Sequence, residues 1–173
     1  MKKVVLTALI LAVVVVALGA FTRLTDAGLG CPDWPGCYGF LSVPKQDTHI
    51  EQAVQAFPER PFEAHKAWNE MIHRYFAGAL GLLILIIALS SLFNRQPNRP
   101  KKLPLVLLCL VIFQALLGMW TVTMKLMPVV VMGHLLGGFS VLSLLYLLSL
   151  RLSSFRLAGG DSELRRYRGL AFF

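Results

Sequence analysis

Four stretches of the chain are almost wholly apolar, and the polar residues gather between them. The apolar runs cover Val4–Thr22, about Trp68–Phe93, Leu103–Met124 and Pro128–Leu150. None alternates with the period of a barrel strand. Each reaches the roughly 20 residues that a helix needs to cross the hydrocarbon core of a bilayer. Inside lipid only helices and closed barrels satisfy their own backbone, so the pattern predicts four membrane-spanning helices. The implied fold class is an all-α membrane protein, one four-helix up-and-down bundle over residues 1–173 with a long outer loop at about residues 23–67.

The first run also has features of a secretory signal peptide, with Lys2 and Lys3 before it and Ala17-Leu18-Gly19-Ala20 near its end. Its uncharged stretch of 19 residues, Val4–Thr22, is longer than the usual signal core of about 7–15. It is therefore expected to stay as a membrane helix.

Composition agrees with this reading: 56% of the 173 residues are hydrophobic and 15% are charged, where a soluble domain has about 25% charged. The net charge of +8 points to topology and not to nucleic acid, because it is distributed by side. Lys2, Lys3, Arg95, Arg99, Lys101, Lys102, Arg151, Arg156, Arg165, Arg166 and Arg168 fall on one side of the predicted bundle. That side reads as cytoplasmic and carries both termini. Trp34, Trp68 and Trp120 fall in the outer loop or at outer helix ends, as an interfacial belt would.

Small residues at Gly78 and Gly81, and at Gly133, Gly137 and Gly138, suggest close helix contacts. A faint repeat is also visible. Leu18-Gly19-Ala20-Phe21-Thr22 ends the first span, and Leu117-Gly118-Met119-Trp120-Thr121 comes near the end of the third. Each is followed by a span with a histidine near its outer end and glycines four or five residues later. This suggests two hairpins related by duplication, one with an enlarged outer loop.

His134 is the only Asp, Glu, Lys, Arg or His between Pro128 and Leu150, and such groups at this depth mark function by default. Counted from the apolar boundary, His73 and His134 each lie about six residues, or about 9 Å, inside their helices. The second and fourth spans run parallel, so the imidazoles are expected to face each other at one level. Such a pair suits haem iron. Zinc would want a third ligand, which Glu70 or a loop residue could supply. A neutral structural pair is the plain alternative.

Glu70 precedes His73 by three residues and shares its helix face. It reads either as an acid near a helix N-terminus or as a carboxylate beside a haem edge, able to exchange a proton. Arg23 and Arg74 suit haem propionates or are snorkelling interfacial charges. Cys31 and Cys37, in a turn rich in Pro and Gly on the oxidising side, read as a disulfide. Closing so small a ring contributes about 2 kcal/mol. A redox-active pair is the alternative. Cys109 reads as inert packing, and His49 and His65 as surface residues.

Together GAFTRLTDAGLGCPDWPGCYG, NEMIHR, QALLGMWTV and GHLLGG resemble the haem A synthase family over nearly the whole chain. The resemblance implies an integral membrane enzyme of cytochrome oxidase biogenesis, which oxidises the C8 methyl of haem O to a formyl group. It implies eight helices in two four-helix halves, of which this sequence matches the N-terminal one. His73 and His134 would hold the haem O substrate, Glu70 would be catalytic, and Cys31 and Cys37 would be the outer-loop pair. Haem B is expected in the C-terminal half.

The expected partners are haem O synthase, an electron acceptor, the bilayer and a second copy in a homo-oligomer; the expected site is the bacterial inner membrane, with the haem towards the periplasm. Two other classes keep the histidine pair: a b-type electron-transfer subunit, and a non-catalytic haem O carrier or assembly factor. The closing segment Arg168–Phe173 turns apolar and reads as the start of a fifth membrane helix or as an interfacial tail.

Overall fold

The computed structural model describes residues 1–93 and 100–153. Arg95, Arg99, Arg156, Arg165, Arg166 and the apolar segment Arg168–Phe173 lie outside the described residues. The order of elements is α1 (Lys2–Leu24), α2 (Asp47–Ala56), α3 (Ala64–Phe93), α4 (Lys102–Thr123) and α5 (Pro128–Leu152). Helices α1, α3, α4 and α5 are long and apolar enough to cross a membrane. The protein is an all-helical, multi-pass membrane protein.

Two boundaries differ from the hydropathy reading. Helix α3 starts at Ala64, a full turn before Trp68, because Ala-His-Lys-Ala is good helix-forming sequence and nothing in it stops the helix. Hydropathy marks where the lipid begins, not where the helix does. His73 is thus the tenth residue of its helix, and the extra turn projects outward. The outer loop also contains α2, whose Ala53 is buried. At the other end of the chain, Pro128 opens α5 at its first turn, where its missing N–H is not needed.

The long helices pack as a closed ring. Helix α1 contacts α3 and α5, and α4 contacts α5 and α3. Helices α3 and α5 therefore lie on one diagonal, without close backbone approach among the described residues. The inner part of the bundle is apolar throughout, with Val5, Ala8, Ile84, Leu107, Leu145 and Leu148 fully buried at its centre. A second, smaller core lies at the outer end and includes Cys31, Cys37, Tyr38, Val43, Ala53, Ala67 and Met71.

The repeat seen in the sequence extends to the backbone. Helix α1 is closed by the Ala27 N–H donating to the Thr22 carbonyl at 2.9 Å, and α4 by the Leu126 N–H donating to the Thr121 carbonyl at 2.8 Å. In both, the residue before the donor is left-handed: Asp26 at φ 51° and Lys125 at φ 49°. Neither is glycine, although this is the conformation glycine usually supplies at a helix C-terminus.

Candidate functional site

All four long helices contribute to one level between the two cores. His73 of α3 and His134 of α5 reach across the diagonal, with ring centres 6.5 Å apart and planes at 90°. Each ring rests against a glycine of the preceding long helix. A Cβ at Gly19 of α1 would stand 3.1 Å from Cε1 of His73, and one at Gly118 of α4 would stand 3.4 Å from Cε1 of His134. The glycines leave room that any side chain would take from the imidazoles.

The carbonyl of Val15 lies beside the His73 ring and that of Gln114 beside the His134 ring. Each comes from the residue four before the glycine, so one carbonyl–glycine cradle is built twice. The approach falls short of a full hydrogen bond: Nδ1 of both histidines is buried without a partner.

Edge-to-face aromatic pairs also fall at this spacing, but the nitrogen atoms separate the readings. A purely structural pair would bury its polar atoms satisfied. Two imidazoles that share one metal ion at about 2 Å per bond have ring centres roughly 6–6.5 Å apart, and each keeps its other N–H for a nearby acceptor. The spacing is compatible with both roles, and His73 and His134 are the residues that would hold a metal here. No third His, Cys, Asp or Glu joins it among the described residues. Neither Glu70 nor a described loop residue stands beside the pair as the third ligand a zinc site would want, and two imidazoles would suit haem iron.

Glu70 is turned towards the outer lobe. It is 5% exposed and accepts the Cys31 N–H at 2.9 Å, while its other oxygen is paired with the Arg74 guanidinium. Arg74 also donates to the carbonyls of Asp33 at 3.0 Å, Pro35 at 3.3 Å and Gly36 at 2.5 Å. Those residues are the ring closed by the Cys31–Cys37 disulfide, whose two cysteines are fully buried. Asp33 tightens the same ring by accepting from the Tyr38 and Gly39 amides. Burial pushes the Tyr38 phenol above its ordinary value, which keeps it a donor to the Pro61 carbonyl at 3.0 Å. At Gly30 a Cβ would stand 2.4 Å from the Lys66 carbonyl carbon, so the loop lies directly on the first turn of α3.

The other predicted residues are scattered. Arg23 is exposed at the end of α1, and His65 is exposed near Glu63. His49 stacks on Phe40 at 4.7 Å. Cys109 is exposed on the outer face of α4, not packed inside. Gly78, Gly81 and Gly138 are not packing glycines, since a Cβ there would meet nothing within 4 Å. Among the glycines of the long helices, the close approaches belong to Gly19, Gly118 and Gly137, of which the pattern of small residues marks only Gly137. The repeated Leu-Gly-x-aromatic-Thr was the signal that could have found the first two.

This fold and site define a class: a polytopic helical membrane protein that presents two histidines to each other across a four-helix bundle, beneath a disulfide-closed outer lobe. The chain belongs to the cytochrome oxidase assembly protein family (COX15-CtaA), which it matches over residues 2–173. A protein of Shewanella oneidensis named "Heme A synthase" is 55% identical over 163 residues, covering 94% of this chain and 49% of that protein. Another "Heme A synthase", from Sinorhizobium fredii, is 30% identical over 121 residues, covering 62% of this chain and 33% of that protein. The chain thus spans about half the length of the first relative and a third of the second.

Proposed function

We propose that this chain is the haem O-binding, N-terminal half of a haem A synthase, in which the C8 methyl of haem O is oxidised to a formyl group. The observation that carries the reading is the His73–His134 pair at 6.5 Å, two ligands without a third among the described residues. Membership of the family and the two named relatives support the choice of substrate. Haem B belongs, on this reading, to a C-terminal half outside this chain.

His73 and His134 hold the substrate iron and fix the plane of the ring, and Gly19 and Gly118 set the position of each imidazole. The bound porphyrin supplies a conjugated system that eases loss of electrons from its methyl substituent. Glu70 takes the proton released there, with its charge held in place by Arg74 and the Cys31 amide. Lys2, Lys3, Lys101, Lys102 and Arg151 at one end of the bundle support cytoplasmic termini. The disulfide at the other end supports an outer lobe in the bacterial periplasm. Haem O synthase supplies the substrate, one water supplies the formyl oxygen, and an electron acceptor takes the electrons of the four-electron oxidation while its protons leave through Glu70 and solvent.

Mass spectrometry of non-covalent haems extracted after co-expression with a haem O synthase tests this. Haem O or haem A in the extract, absent without the chain, is expected. Haem O alone makes the chain a carrier when it acts by itself; haem B alone favours an electron-transfer subunit and removes the substrate assignment. Glu70→Gln should keep haem O bound and abolish the formyl product in the full-length enzyme. Undiminished product would remove Glu70 from the chemistry.

A further inference from the structure

Gln114 plays no part in that scheme through its side chain, yet it is the odd residue of the bundle. It lies on α4 one turn inward of Gly118 and is only 7% exposed. Its Nε2 has no hydrogen-bond partner. The amide occupies a notch in α5 where Gly137 has no side chain; a Cβ there would stand 1.8 Å from Nε2 and 2.7 Å from Cδ. Turning the amide over exchanges nitrogen and oxygen but still leaves a polar atom unpaired in the notch. A buried unpaired amide costs free energy, and lipid offers it no water. Glycine inside a helix is unfavourable too. The sequence accepts both at the same point.

The duplication shows what is special here. The residue in the equivalent place of the first hairpin, four before Gly19, is Val15. Both residues present a carbonyl to their histidine, but only the second hairpin adds a polar side chain. The backbone of the site is nearly two-fold, whereas its polarity is one-sided. Gln114 lies about 6 Å along its helix from Gly118, towards the inner core and away from the charged outer lobe.

We propose that Gln114 is a positioning and selectivity residue, whose amide donates a hydrogen bond to an oxygen-bearing substituent on the inward edge of the planar ligand between His73 and His134. The inference rests on the haem reading of that pair. Two axial histidines on a nearly two-fold scaffold do not distinguish a porphyrin from its flipped orientation. One donor on one side does. In haem O the edge opposite the propionates carries a hydroxyl on the farnesyl-bearing side chain, where haem B has a vinyl group. The contact therefore selects a hydroxylated haem and fixes which methyl group is presented to the outer machinery.

The test is optical titration of the detergent-solubilised protein with haem O and, separately, haem B. The variants are Gln114→Leu and the unbranched Gln114→Met. Loss of the hydrogen bond should weaken haem O about fivefold and leave haem B unchanged. Retained haem B binding with a two-histidine spectrum shows that the variant has folded. Equal weakening of both haems, or unchanged haem O affinity in both variants, overturns the proposal. If the unsubstituted protein gives no two-histidine spectrum with either haem, the haem reading of the pair fails and this inference goes with it.

Discussion

The two hairpins of this protein, α1 with α3 and α4 with α5, are built alike where they meet the centre and unlike at their outer ends. Each sets a histidine against a glycine of its partner helix. Each closes its first helix on a threonine carbonyl, through a left-handed residue. Beyond that point the first hairpin has a 39-residue excursion, residues 25–63, with its own core, disulfide and charged latch, while the second turns back in residues 124–127. The shared part positions two imidazoles. The unshared part engages Glu70 and Arg74 of α3 through loop amides and carbonyls, and the second hairpin has no counterpart to it.

Removing one histidine at a time gives the largest expected effect. His73→Ala and His134→Ala should each abolish the two-histidine absorption spectrum of the haem-loaded protein, and to the same degree, since each supplies one of two ligands. A spectrum that survives either substitution would show that the hairpins do not contribute equally.

The glycines sharpen the comparison. At Gly19 a methyl group would crowd His73 at 3.1 Å, while at Gly118 the same group is 3.4 Å from His134. Crowding of a packed site costs about 1–3 kcal/mol, and replacing a helical glycine by alanine returns about 1 kcal/mol. Gly118→Ala should therefore be neutral or mildly stabilising, and Gly19→Ala destabilising with a shifted haem spectrum. Thermal unfolding in detergent reads both, and equal shifts would remove the asymmetry.

A smaller effect concerns only the first hairpin. Cys31→Ser with Cys37→Ser should cost the outer lobe about 2 kcal/mol in chain entropy. It should raise protease cleavage within residues 25–63 and leave the inner bundle intact. Unchanged cleavage would mean that Arg74 and Glu70 hold the loop by themselves.

Much of this architecture was legible in the sequence, because lipid makes the rules strict. Apolar length alone located four helices, and a histidine in an apolar helix announced itself. What was not legible depended on contacts between segments far apart in the chain. The sharing of a helix face by Glu70 and His73 was visible, but the turn of Glu70 towards the Cys31 amide and Arg74 came only with the folded loop. Gly78, Gly81 and Gly138 looked like packing residues because composition carries no direction, whereas Gly19 and Gly118 were hidden in a repeat that was read as history and not as fit. Helix α2 was missed since ten residues of mixed polarity have no lipid signature, although Asp47, Ile50, Ala53 and Val54 follow helical spacing.

The diagonal placement of α3 and α5 has a mechanical meaning. Four helices in a ring, with close backbone approach only between neighbours, form a four-sided frame, and the two histidines stand at opposite corners. Towards the inner end, one buried cluster joins side chains of α1, α3, α4 and α5 and braces the frame across both diagonals. The histidine level lies beyond that brace, so the inner core is the clamped end of the frame and the imidazoles stand on its free end.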